Sequence, residues 1–361
     1  MSKLICQVTV ILLLVGALFS SKANAQSPAV VVAPVATGDD NDPVSREVRE
    51  MYDAGLAYLL QTQTENGTWA TGGEAGAGTT ALGLLAFLAS GDDPNFGLYR
   101  SAIRKSLRNI IRNQSSDTGY MGPSMYHHGF AMLALAEAYG AVDETDLWNS
   151  DSIYVADSEN QRSIGQALEL AVRSALTSQK NNPLGAWRYS PGAKDADTSV
   201  SGAVMMGLLA ARNAGIEVSD ESIDRALDYF SSMTSETGAV GYAGGLSGFG
   251  ESIARSSIVC LVYAIARRKD LPQYAATESY LRKNLNERTG WIEYAWYYQS
   301  QALFQADVEL WEKWNESLVR KLKSRQSPDG SFSGDLGAAN STSMSLLALA
   351  LNFRFLPIYE R

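Results

Sequence analysis

From Val44 onward, apolar residues recur at spacings of three and four with charged residues between them, the pattern of helices that bury one face. The run Val44, Val48, Met51, Gly55, Leu56 and Leu59 carries Arg46, Glu47, Arg49 and Glu50 on its other side. The same period returns in Ile103, Leu107, Ile110 and Ile111; in Ile164, Leu168, Ala171, Val172 and Ala175; in Ile223, Leu227 and Phe230; and in Trp314, Leu318 and Leu322. Between these stretches lie segments that are apolar nearly all round: 79–90, 129–140, 199–211, 256–266 and 342–353. A helix without a polar face has to be covered on every side. Strand-type alternation is weak everywhere, so the pattern predicts an all-α fold in which polar-faced helices surround buried ones.

The order of the segments carries more than either kind alone. Each amphipathic stretch runs into a short polar turn bearing a glycine and an aromatic residue, and then into a buried stretch. The turns read QTENGTW (63–69), QSSDTGY (114–120), QKNNPLGAW (179–187), TSETGAVGY (234–242), ERTGW (287–291) and QSPDGSF (326–332). Anchored on Gly67, Gly119, Gly185, Gly241, Gly290 and Gly330, they recur in steps of 40 to 66 residues. This predicts six helical hairpins, and paired helices of this kind bury themselves by stacking into a solenoid or by closing into a ring.

Before the first hairpin, Lys3, the apolar run Val8–Leu18 and Ala23-Asn24-Ala25 have the layout of a secretory signal cleaved after Ala25. The apolar run is short for a transmembrane helix, so the expectation is a secreted or periplasmic protein without stable membrane insertion. Residues 26–43 mix Pro, Ala, Val and acidic residues without periodicity and read as a flexible linker. The formal net charge is −9, and removal of Lys3 and Lys22 makes the mature chain more acidic still. That balance excludes nucleic acid as an expected partner. Of the two cysteines, Cys6 falls in the signal, which leaves Cys260 alone and rules out a disulfide framework.

The elements Gln63-x3-Gly67-x-Trp69 and Gln326-x3-Gly330-x-Phe332 resemble the QW motif of squalene and oxidosqualene cyclases and the related repeat of protein prenyltransferase β subunits. Looser copies sit at Gln114 and Gln179, and degenerate ones at Gly241 and Gly290. The resemblance spans residues 44–361 and implies an (α/α)6 toroid of the terpenoid cyclase superfamily, with a cavity at the N-terminal ends of the inner helices. It also implies that the Gln and Trp residues are structural and tie each turn to the neighbouring repeat. The segments 125–140, 296–305 and 353–361 are similar to a bacterial secreted squalene-cyclase-like subgroup.

In squalene cyclases a D-x-D-D-T-A element opens an inner helix, and its middle aspartate protonates an alkene. The corresponding stretch here is Lys194-Asp195-Ala196-Asp197-Thr198-Ser199. Asp197 matches the last aspartate, whereas Ala196 stands in the proton donor's place, so the acid motif is not intact. Asp195 and Asp197 are the candidate acids; the alternative is that Asp197-Thr198-Ser199, like Thr79-Thr80 and Ser341-Thr342-Ser343, caps an inner helix. Prenyltransferases hold zinc with an aspartate, a cysteine two residues later and a distant histidine. Here Ile258 precedes Cys260 at that spacing, so no metal and no cofactor are expected.

His127 and His128 are the chain's only histidines and open an inner helix, where an imidazole could serve acid–base chemistry. Tyr126 precedes them, and Glu251 and Arg255 sit in the equivalent region of the next hairpin but one. Such Tyr, His and Arg groups also serve glycan-acting α/α toroids. Trp187, Tyr189, Tyr242, Phe249, Trp291, Tyr294, Trp296, Tyr297 and Tyr298 complete an aromatic set suited to ring-face stabilisation of a carbocation, to sugar stacking or to packing.

Three functions follow. A cyclase-like protein binding an isoprenoid or other elongated apolar ligand would show a deep aromatic cavity with Asp195 or Asp197 inward. A carbohydrate lyase or hydrolase would show an open groove crossing His127 or His128 with Arg255 or Glu251 nearby. A non-catalytic scaffold would show a plugged cavity.

Overall fold

The computed structural model describes residues 43–69, 75–145, 147–148, 160–244, 252–286 and 290–360. The signal, nearly all of the linker, the greater part of the 143–163 insertion, Phe249 and Glu251 lie outside these residues.

Twelve α-helices are described: α1 (Pro43–Thr62), α2 (Ala77–Leu88), α3 (Arg100–Arg112), α4 (Met125–Ala138), α5 (Ile164–Lys180), α6 (Thr198–Asn213), α7 (Asp220–Met233), α8 (Ile253–Ile265), α9 (Pro272–Lys283), α10 (Ile292–Ala306), α11 (Val308–Arg325) and α12 (Gly337–Ala350). The described residues contain isolated β-bridges and no strand. Local chemistry starts the outer helices where the pattern requires. Ser163 and Gln166 form a reciprocal capping box on α5, Ser219 caps α7 ahead of Asp220 and Glu221, and Asp307 caps α11.

The even-numbered helices form an inner ring. Each packs on the next, and α12 returns to α2 while α1 meets α11 and α12, so the ring closes. Closure is what lets α2, α4, α6, α8 and α12 dispense with a polar face: each is covered by two inner neighbours and by its own outer helix. Small residues permit the close approach. A Cβ on Gly129 of α4 would lie 2.5 Å from the Ala203 carbonyl carbon of α6.

The turn motif is a ring-closing device. Gln63 Nε2 donates to the Gly67 carbonyl of its own turn at 3.3 Å and to Ala102 O of α3 at 3.1 Å. Gln114 bonds Gly119 O and Ala167 O of α5, and Gln179 bonds Gly185 O and Ser222 O of α7. Gln326 Nε2 donates to Gly330 O at 3.0 Å and to Met51 O of α1 at 2.8 Å, joining the last hairpin to the first. The tryptophans behave differently from what the resemblance implies: Trp69 and Trp187 donate back to Leu59 O and Ala175 O of their own outer helices, both at 2.9 Å.

Two anchors also move. Gly67, Gly119, Gly185, Gly238 and Gly330 adopt φ of 68–86°, and the backbone of each lies against a carbonyl of the next outer helix. The fourth anchor is therefore Gly238 rather than Gly241. In the fifth hairpin the left-handed position belongs to Trp291, at φ 57°, rather than to Gly290.

At the C-terminal ends of the inner helices, residues 351–360 fold back across the ring. A 3-10 turn, Pro357–Tyr359, packs on α6; Leu356, Ile358 and Tyr359 are buried. The Ile358 N–H donates to Glu137 Oε2 at 3.4 Å, and Gln305 Nε2 donates to Glu360 O at 3.1 Å.

Candidate functional site

A cavity of about 590 Å3 opens at the other end of the ring. All six inner helices reach it with their first two turns: Gly78, Thr79 and Leu82 from α2; Tyr126, His127 and Phe130 from α4; Ser199 and Val200 from α6; Ala254 and Arg255 from α8; Tyr294 from α10; Asn340 and Met344 from α12. Tyr189, Tyr242 and Trp291 join them from the preceding loops. The volume suits a small organic ligand. The hollow is a bowl: its lining stops at Leu82, Phe130, Tyr294 and Met344, and below them the ring is filled by the buried core.

His127 lines the bowl, and its Nδ1 accepts the Gly78 N–H at 3.1 Å. That bond leaves the proton of the neutral ring on Nε2, a hydrogen-bond donor. Burial holds its pKa below the ordinary imidazole range, so the neutral form prevails at neutral pH. Arg255 donates through Nε to Val240 O at 2.8 Å, which fixes the guanidinium at the wall. Tyr126 meets Tyr294 at 6.1 Å between ring centres, and Tyr294 meets Tyr298 edge-on at 5.0 Å, so the phenol layer begins in the lining and continues into the core.

Behind the wall of Tyr189 and Tyr242 lies a charged assembly whose centre sequence reasoning misses. The two phenol oxygens are 2.8 Å apart. The Arg188 guanidinium carbon stands 5.4 Å from the centre of each ring, and its Nε lies 3.6 Å from Asp197 Oδ2 and 3.8 Å from Asp195 Oδ2. Asp195, Asp197, Tyr189 and Tyr242 are candidates from the sequence, but Arg188, which joins them, is not, because an isolated cation in a turn does not say which rings and carboxylates it meets.

Asp197 is buried and caps α6, its Oδ1 accepting the Val200 N–H at 2.8 Å. Its other oxygen, Oδ2, is buried without a hydrogen bond. Burial raises its pKa to about 6, against the opposing pull of that helix bond and of Arg188. Capping therefore describes Asp197 but not the other two helices grouped with it. The N-cap positions of α2 and α12 are Gly76 and Leu336, without side-chain caps; Thr80 bonds Thr68 Oγ1, and Thr342 Oγ1 accepts the Phe332 N–H.

Several candidates are not in the lining. His128 is fully buried: Nδ1 accepts the Met121 N–H and Nε2 donates to Ala171 O, and burial pulls its pKa down to about 4. It ties α4 to its own turn and to α5. Trp187 fills the core under its turn, and Trp296, Tyr297 and Tyr298 are buried in the inner ring. Asp195 is largely exposed beside Arg188. Of the named candidates, Tyr126, His127, Tyr189, Tyr242, Arg255, Trp291 and Tyr294 share the bowl. Cys260 is a buried free thiol whose pKa burial pushes up to about 12, and no three His, Cys, Asp or Glu gather at a metal-binding distance among the described residues.

No protein-family model and no curated protein matches the sequence. Solved structures do match. The GH76A α-1,6-mannanase from Salegentibacter sp. is 11% identical, with 84% of this chain and 98% of that chain covered at a TM-score of 0.59. A variant of the type II terpene cyclase MstE from Scytonema, bound to geranylgeranyl dihydroxybenzoate, is 15% identical, with 87% and 99% covered at a TM-score of 0.57. A D-mannose isomerase is 11% identical, with 84% and 97% covered at a TM-score of 0.55. The chain is an α/α toroid. At these identities the likeness establishes fold, and the same toroid carries both sugar and isoprenoid chemistry in its neighbours.

Proposed function

We propose that residues 44–361 form a secreted carbohydrate-binding toroid that holds a polyhydroxylated, sugar-type ligand in the bowl. The observation that carries this reading is what lines the cavity and where it stops. It occupies the first two turns of the inner helices and is lined by hydroxyl, imidazole, guanidinium and amide groups among aromatic faces, with the core filled beneath it. An elongated hydrocarbon gains affinity by burying its length in apolar surface, whereas this lining sets a polar group from every inner helix among its apolar ones. A sugar needs aromatic faces for its C–H surface and donors and acceptors for its hydroxyls; Tyr126, Tyr189, Tyr242 and Tyr294 supply both, beside the Nε2–H of His127 and the guanidinium of Arg255. The converging helix N-termini favour electron-rich oxygen ligands.

One observation favours the isoprenoid reading: Asp197 matches the last aspartate of the cyclase acid motif, one place after the proton donor's, and burial raises its pKa to about 6. Its oxygens are directed to the α6 cap and towards Arg188, and it is absent from the lining.

Calorimetry of the mature protein against α-1,6-mannotetraose, cellotetraose and tetragalacturonate tests the proposal, with native mass spectrometry and organic extraction in parallel. Binding of a sugar that weakens at least tenfold in His127→Ala or Arg255→Ala supports it. A co-purified hydrocarbon lost in Asp197→Asn, with no sugar bound, replaces it with the isoprenoid reading.

A further inference from the structure

Trp291 is placed at a cost that folding does not explain. It exposes 52% of its surface, whereas Trp69, Trp187, Trp296, Trp311 and Trp314 are buried and Trp148 is half-buried against the core. It also holds φ 57° and ψ 53°, a left-handed conformation that penalises every residue with a Cβ. In the hairpins around it that conformation is assigned to glycine, and the adjacent Gly290 does not adopt it. A chain selected only for stability would place glycine at 291 and an indole under cover. Strain and exposure together at a cavity wall are features of a ligand-facing residue.

The turn that carries the indole is fixed. Trp291 is the N-cap position of α10, and the turn that follows is locked: Glu293 is buried and accepts from Arg325 Nη2, while the Arg325 guanidinium carbon stands 5.7 Å from the Trp296 ring centre. One turn further, Tyr294 lines the same wall. On the neighbouring α12, Leu336 and Asn340 line the bowl; Asn340 is 5% exposed, its Nδ2 donates to Leu336 O at 3.2 Å, and its Oδ1 is buried without a partner. No side chain caps α10, and both its first turn and Asn340 border the bowl. A hydroxyl both donates and accepts, and so matches that pairing where a hydrocarbon does not.

We propose that Trp291 is the stacking platform of a pyranose subsite, on which one sugar ring lies flat while a hydroxyl reaches the α10 N-terminus and the Asn340 amide. This inference rests on the carbohydrate reading of the bowl and adds the position of the ring within it.

The exposed indole is its own reporter. In the wild-type protein, acrylamide quenches chiefly the Trp291 emission, and that quenching disappears in Trp291→Phe. With the same three tetrasaccharides as probes, the bound sugar shields Trp291 from acrylamide and shifts its emission to the blue. Trp291→Ala weakens sugar binding roughly tenfold, as loss of one stacked ring requires, Trp291→Phe restores most of it, and Asn340→Ala weakens it by a smaller factor. Trp291→Gly separates function from folding: it relieves the left-handed strain and raises Tm by about 2 °C, while binding weakens as in the alanine variant. If a tetrasaccharide binds wild type and Trp291→Ala with equal Kd, the subsite is wrong and the carbohydrate reading survives. If none of the three binds the wild type, both fall.

Discussion

At the N-terminal ends of the inner helices the ring is left concave and polar, whereas at their C-terminal ends residues 351–360 cross it and seal it. The bowl end spends stability: it exposes Trp291 and Tyr189, places Trp291 in a left-handed conformation, and leaves Asp197 Oδ2 buried without a hydrogen bond. The sealed end gains stability through apolar cover, with Leu356, Ile358 and Tyr359 buried and Tyr52 meeting Phe353 edge-on at 5.2 Å. Strain and exposure are not confined to the bowl, since Arg267 and Arg354 also hold φ of 60° and 58° and Phe96 and Leu98 are exposed; at the bowl, strain and exposure border a cavity.

The sharpest way to break this comparison is Tyr359→Ala. Tyr359 is 3% exposed under the ring, and removing a buried aromatic of this size costs about 3–5 kcal/mol. Urea unfolding is expected to show that loss while sugar affinity stays within about twofold of wild type. A comparable loss of affinity would mean that the two ends are coupled.

Glu137, in the sealed end, gives a pH-dependent effect. Burial raises its pKa from 4.5 to about 8, opposed by the Ile358 N–H and reinforced by Glu360. Its folded pKa lies above its unfolded one, so its contribution to stability is fully present below about pH 4.5 and is lost as the pH rises to about 8. The slope is about 1.4 kcal/mol per pH unit. Glu137→Gln stays neutral, so its Tm should overtake that of wild type progressively between about pH 5 and pH 8 and then run parallel. Parallel curves across that whole range would contradict the burial argument.

Gln326→Ala removes the bonds that join the last turn to α1. An expected loss of about 1–3 kcal/mol in urea unfolding, larger than that from the surface pair Arg46→Ala, would locate ring closure in this motif. A further test belongs to the bowl: Arg188→Met costs little at the exposed Asp195 but takes the cation from the buried Asp197, so a loss of about 1–3 kcal/mol in urea unfolding is expected. The same variant frees the Tyr189–Tyr242 pair and should raise the rate at which tetranitromethane nitrates Tyr189, read by peptide mass spectrometry. An unchanged rate would deny Arg188 its positioning role.

Much of the architecture is legible in the chain's pattern alone. The three-and-four spacing separates outer from inner helices because periodicity records which face is buried. The Gln-x3-Gly-x-Trp spacing points to the turns because the glutamine has to reach a carbonyl of its own turn and one of the next helix at once. Anchors at Gly241 and Gly290 are misplaced since backbone handedness, not residue type alone, selects the anchor: Gly238 lies against the Ala276 carbonyl, and Trp291 takes the strained position itself.

The candidate site is legible as a region and not as a surface. The sequence determined six hairpins, the inner or outer character of every helix but α9 and α10, and the convergence of Tyr, His and Arg at the starts of inner helices, since these follow from local pattern. It could not separate His127 from His128. One turns to Gly78 of α2 and the bowl; the other turns to Ala171 of α5, because successive residues on a helix diverge by about 100°. Nor could it bury Trp187, Trp296, Tyr297 and Tyr298 or expose Trp291. Those fates depend on which neighbours the ring brings against each helix, and only closure of the ring supplies them.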